Sequence, residues 1–93
     1  MKVIVAYRNY HSMERAELFP QVFKVNKGET PEQALERIWQ SELNGALADN
    51  LNNDYNDPID EENCWHEDNM ALITWEDGDT KEYFIVEVED YEL

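Results

Sequence analysis

Ninety-three residues carry 22 acidic and 7 basic side chains, for a formal charge of −15. That balance excludes a nucleic-acid binder working through phosphate contacts, which needs a Lys/Arg excess, and a protein drawn to the anionic leaflet of a membrane. Three Trp, five Tyr and three Phe argue against a disordered acidic tail, so the length predicts one folded domain over residues 1–93.

Residues 2–8 (KVIVAYR) are rich in β-branched and aromatic side chains and nearly all apolar, the pattern of a central strand. Residues 9–18 are polar and irregular and read as a connection. A second strand over residues 19–26 carries Val22, Phe23 and Val25. Pro20 has no N–H to give a ladder, so this strand starts after it or lies at a sheet edge. Thr30-Pro31-Glu32-Gln33 then joins an N-cap, a proline at the first helical position, an acid in the first turn and a Gln three residues after the cap. That is a capping box. Leu35, Ile38, Trp39, Leu43, Ala46 and Leu47 recur at helical spacing and predict a helix from Pro31 to about Asp49. Gly45 inside it costs about 1 kcal/mol relative to Ala, and a close approach of helix to sheet is the expected reason.

Residues 50–69 hold seven acids and six Asn. A structureless loop of that length is unusual in a small domain, so a short helical turn is expected around residues 60–64, with Trp65 anchoring the segment to the core. Residues 70–75 and 82–89 read as two strands joined at Glu76-Asp77-Gly78-Asp79, where Asp-Gly marks a hairpin of two or three loop residues. Phe84, Val86 and Val88 alternate and are assigned to the core face. Tyr83, Glu87, Glu89 and Tyr91 then form an acidic-aromatic stripe outside. The sum is an α+β fold: an antiparallel sheet of about four strands in ββαββ order, with one long helix packed on one face.

Three local patterns carry chemistry in other proteins. Asp79-Thr80-Lys81 matches half of a restriction-type nuclease signature, in which carboxylates hold a metal and the Lys steadies the attacking water. The other half needs an Asp on a neighbouring strand, and Asp57 lies in a loop. Asn50, Asn52, Asp54 and Glu61 stand at positions 1, 3, 5 and 12 of an EF-hand-like loop, but position 6 is Tyr55 where the sharp turn needs Gly. A divalent-cation module between Asn50 and Glu62 is therefore a secondary reading. Cys64-Trp65-His66 offers a thiol and an imidazole. One Cys and two His cannot complete a zinc set without carboxylates, and acidic surroundings raise a thiol pKa. Cys64 and Trp65 are expected to pack inward and His66 to be solvated. With no catalytic signature complete, the chain reads as non-enzymatic and without a cofactor.

The charge is distributed unevenly. Residues 1–48 carry six acids and six bases, whereas residues 49–93 carry sixteen acids and one base, Lys81. Self-repulsion on one segment costs stability, a cost more easily understood if a cationic partner meets that surface. The longest apolar run is the five residues 3–7, too short to cross a membrane, and a lone thiol fits a reducing cytoplasm.

Asp49, Asp54, Asp57, Asp60, Glu61, Glu62, Glu67, Asp68, Glu76, Asp77, Asp79, Glu87, Glu89, Asp90 and Glu92 give this half a composition that resembles the small acidic inhibitors of phages and mobile elements. These include anti-restriction and anti-CRISPR proteins, many of them DNA mimics. The strand-to-helix run FKVNKGETPEQALERI is similar to small phage-encoded domains. The resemblance implies a protein–protein interaction in which Asp57, Asp60, Glu61, Glu62, Glu67, Asp68, Glu76, Asp77, Asp79, Glu87, Glu89 and Asp90 face the basic groove of a nucleic-acid-binding protein, with no nucleic acid bound directly. A structural subunit of a phage or mobile-element assembly is the other reading in this class.

Overall fold

The computed structural model describes residues 1–9, 16–52 and 58–88, with residues 16–19 and 50–52 as backbone only. Among the described residues five antiparallel strands and one long helix make an α+β fold: β1 (Lys2–Asn9), β2 (Ala16–Lys24), α1 (Pro31–Asn52), β3 (Trp65–His66), β4 (Met70–Thr74) and β5 (Thr80–Glu87), with a 3₁₀ turn at Glu61–Asn63. The strands lie in the order β2-β1-β5-β4-β3. β1 is interior, as its apolar run predicts. β2 is an edge and starts earlier than expected, at Ala16, so Pro20 lies within it. An edge strand tolerates that proline because its outer N–H groups have no ladder to serve.

The fifth strand is the first departure from the expected order. Trp65 pairs with Leu72 and His66 with Ala71, so part of the acidic segment joins the sheet instead of looping over it. The anchor is not Trp65, which is 37 % exposed, but Ile59, which is buried. Ile59 bridges Trp75, Asp60 N–H donates to Thr74 O at 2.9 Å and Glu76 N–H to Pro58 O at 2.9 Å. These bonds tie residues 58–60 to the end of β4 and supply backbone partners that a bare loop would lack.

The helix begins where its cap predicts. Gln33 N–H donates to Thr30 Oγ1 at 3.1 Å, and Thr30 N–H donates to Gln33 Oε1 at 2.9 Å. Glu29 reinforces the entry: it accepts from Asn26 N–H and makes a two-point pair with Arg37 at 2.8 and 3.0 Å. The guanidinium, aided by that N–H, holds the Glu29 carboxyl below its ordinary range. Ala34, Leu35, Ile38, Trp39 and Leu43 are buried against Ile4, Ala6, Ala71, Ile73 and Tyr83, and Trp39 Nε1 donates to Leu72 O at 2.9 Å. The helix continues to Asn52, three residues past the expected end.

The hairpin between β4 and β5 settles into its three-residue form. Trp75 N–H donates to Asp79 O, Gly78 N–H donates to Trp75 O, and Gly78 sits at φ +98°, where a side chain would be strained. The strand phase that follows is opposite to the expected one. Tyr83 is fully buried and Ile85 packs on the core, while Phe84, Val86 and Val88 are only half-buried. Both residue sets are apolar, so alternation alone left the phase open. What permits the observed one is that Glu42 on the helix stands within 3.5 Å of the Tyr83 hydroxyl, giving the buried polar tip a partner.

Gly45 is not a point of close approach: a Cβ added there meets no atom within 4 Å. Gly45→Ala should therefore raise stability by about 1 kcal/mol, the helix-propensity difference, read as a higher urea midpoint with unchanged slope. Gly28→Ala should lower it, because Gly28 holds φ +82° in the turn before the helix.

Candidate partner-binding surface

The strand order converts the uneven sequence into an uneven molecule. β2 and β1 come from the charge-balanced half, and β5, β4 and β3 from the acidic half, so the two halves occupy opposite sides of one sheet. Glu61 and Glu62 lie exposed in the 3₁₀ turn beside β3. Glu67 and Asp68 lie exposed in the β3–β4 turn, and Glu76 and Asp77 at the tip of the β4–β5 hairpin. With Glu32 of the first helical turn, Glu67 and Asp68 line an open cleft of about 570 Å³.

Other acids proposed from the sequence serve the fold. Asp79 is buried: Arg8 Nη2 lies 3.2 Å from its Oδ2, and the same guanidinium lies over the Trp75 ring at 3.8 Å. Its N–H donates to Asp77 Oδ1 at 2.8 Å, an Asx turn of the kind that favours Asp at such bends. Asp60 is half-buried and accepts from Asn63 Nδ2 at 2.6 Å. Glu87 is exposed and pairs with the amino terminus at 3.1 Å. Asp57, Glu89 and Asp90 lie outside the described residues, as do Tyr91 and Glu92.

Asp79 is paired with Arg8 as above, and Lys81 Nζ pairs with Glu42 Oε1 at 2.9 Å. Arg8, Glu42, Gly45, Asp49, Lys81 and Tyr83 line a polar cleft of about 220 Å³ near the helix end, in which the two strand cations are each held by a carboxylate. Asn50 and Asn52 belong to the helix instead of opening a calcium loop, Asp54 lies outside the described residues, and Glu61 is exposed in the 3₁₀ turn. Among the described residues no three His, Cys, Asp or Glu side chains stand close enough to hold a metal ion, and no helix is long and apolar enough to cross a membrane.

Cys64 packs inward as expected. Its Sγ donates to Asp60 O at 3.3 Å and accepts from Thr74 N–H at 3.4 Å. Burial, with the Asp60 and Glu61 charges adding to it, pushes the thiol up and away from thiolate chemistry. Trp65, expected to pack inward, does not, whereas His66 is exposed as expected. His66 shares the helix side with Ala71, its ring 4.9 Å from that of Trp39 and its Nε2 3.8 Å from Glu36, while Trp65 turns to the other face. The acidic-aromatic stripe expected on β5 does not form, since Tyr83 is buried in the core.

The face opposite the helix is the feature that sequence reasoning passed over. Val5 pairs with Val22 and Phe84, and Met70 with Phe84. Tyr7 and Phe84 meet edge to face at 6.1 Å. The signal was present in β1: with Ile4 and Ala6 under the helix, Val3 and Val5 had to fall on the other side. No family model, curated protein or solved structure matches the chain.

Burial, with Glu42 beside it, drives the Tyr83 phenol far above its ordinary value of 10.0. One of the five tyrosines should therefore fail to ionise in an ultraviolet difference titration until the protein unfolds. The protonated phenol contributes its full stability below the unfolded pKa near 10, and the contribution is lost as pH rises above it. The urea midpoint should fall above that pH in the native protein, and fall less steeply in Tyr83→Phe.

Proposed function

We propose that the protein is a non-enzymatic, cytoplasmic acidic binding protein whose carboxylate-rich side occupies the basic, nucleic-acid-binding surface of another protein. The observation that carries this reading is the gathering of exposed acids from residues 49–93 on the β5-β4-β3 side of the sheet, while Asp79 and Glu42 are paired with Arg8 and Lys81. B-DNA presents roughly one charge per 1.7 Å of axis, and its protein partners bind largely by releasing counterions. Carboxylates on the short turns of one sheet edge compete for the same Lys/Arg groove at little ordering cost. The composition resembles anti-restriction and anti-CRISPR DNA mimics, which makes nucleases of host defence the first partners to test.

The test is displacement of a labelled duplex from a panel of restriction and CRISPR nucleases. Displacement should weaken steeply as salt rises, since exposed charges are screened over roughly 8 Å at physiological ionic strength. A variant carrying Glu61→Gln, Glu62→Gln, Glu67→Gln and Asp68→Asn should lose roughly tenfold or more, mostly through slower association. Affinity indifferent to salt and to these substitutions would overturn the reading.

A further inference from the structure

We propose that the sheet face turned away from the helix is a docking face for a protein segment that presents apolar side chains bordered by Lys or Arg. The inference rests on the reading of the acidic half as a contact surface and names the part of the molecule that would give the contact its grip. Register and alternation place Val22 of β2, Tyr7 of β1, Phe84 of β5, Met70 and Leu72 of β4 and Trp65 of β3 on this one face. Val22 and Trp65 are 39 % and 37 % exposed, Val3 and Val5 of β1 between them are buried, and the other four are half-buried. An apolar patch that spans five strands and contains Trp, Tyr, Phe and Met has the composition of an interface centre.

Charge decides what covers it. Glu82 stands on the same face, in register with Tyr7 and Leu72. Glu61 and Glu62 precede Trp65 at the β3 border of the face, whereas Glu67 and Asp68 line the cleft with Glu32 on the helix side. The one base in residues 49–93, Lys81, is paired with Glu42. A second copy of the chain would set like carboxylates against each other, whereas a partner with cations around an apolar anchor finds them complementary. Lys24 lies at the far corner of the face, opposite Val3, and orients such a partner with its cations toward β4 and β3.

The probe is a helical amphipathic peptide of Leu and Lys, with its Leu/Glu counterpart as control, followed by Trp65 fluorescence and amide shifts. The Leu/Lys peptide should bind saturably, with shifts concentrated at Val22, Leu72, Phe84 and the Trp65 indole. Trp65→Ala and Val22→Ser, both at exposed positions, should each weaken it, the former by roughly tenfold. Lys24→Glu should strengthen it, while Lys27→Glu, the same charge change in a turn off the face, should do so less. Equal binding of the Leu/Glu peptide, absence of saturable binding, shifts centred on the helix, or indifference to Trp65→Ala would each overturn the proposal. So would a concentration-dependent dimer abolished by Trp65→Ala. The nuclease panel separates the two readings. If Trp65→Ala keeps full displacement while the acid-to-amide variant loses it, the docking face falls and the acidic reading stands. If the Leu/Lys peptide binds as expected while no nuclease is displaced, the DNA-mimic reading falls and the face stands.

Discussion

Everything in this fold closes on the pairing of β1 with β5. It runs from Lys2 opposite Glu87 to Asn9 opposite Thr80 and is the seam between the charge-balanced half of the chain and the acidic half. The register sets Arg8 directly against Lys81, and like charges at facing positions oppose strand pairing. The conflict is resolved from both sides. Asp79 meets Arg8, and Glu42 reaches from the helix to Lys81. In each pair one member comes from each half of the sequence, so the electrostatics that permit the seam also pin the hairpin tip to β1 and the helix to β5. Removing either acid would leave a partly buried cation without its partner, which costs more than the pair itself contributes.

The sequence was most legible where a single residue type has a single use. Thr30 and Gln33 specify the helix start through reciprocal hydrogen bonds, Gly78 specifies the hairpin through its backbone angle, and Pro20 marks an edge because it lacks a donor. It was least legible where two outcomes satisfy the same rule. In β5, Tyr83 with Ile85 and Phe84 with Val86 are equally good apolar sets, and the phase depends on whether Glu42 stands near the Tyr83 hydroxyl, a contact across 41 positions. Trp65 and His66 posed the same ambiguity over two residues. Their assignment follows from the pairing of His66 with Ala71 under the helix, which no local pattern announces. The acidic half could be recognised from a count, but which of its acids serve the fold could not, because Asp79 and Glu76 look alike until Arg8 is placed.

The placement of the acids is a consequence of topology. β2 folds back on β1, the helix crosses the sheet, and the last three strands add on the opposite side of β1. A chain with this order cannot mix its halves along the sheet, so a charge bias in the sequence becomes a charge bias in space. Mutual repulsion among the exposed carboxylates works against the compact state. The neutral half supplies the capped helix, its Glu29–Arg37 clamp and most of the buried aliphatic contacts that offset it.

The same arrangement constrains how another chain could approach. Open strand edges are the usual route to unwanted association, and both edges of this sheet are blunted. β2 carries Pro20, and β3 is only two residues long, preceded by Glu61 and Glu62 and followed by Glu67 and Asp68. The helix covers one face. Among the described residues the second face is apolar apart from Glu82, in register with Tyr7 and Leu72, and Lys24 at its far corner. The short β3 and its flanking Glu61, Glu62, Glu67 and Asp68 thus protect that edge while holding the charge on the same side of the sheet.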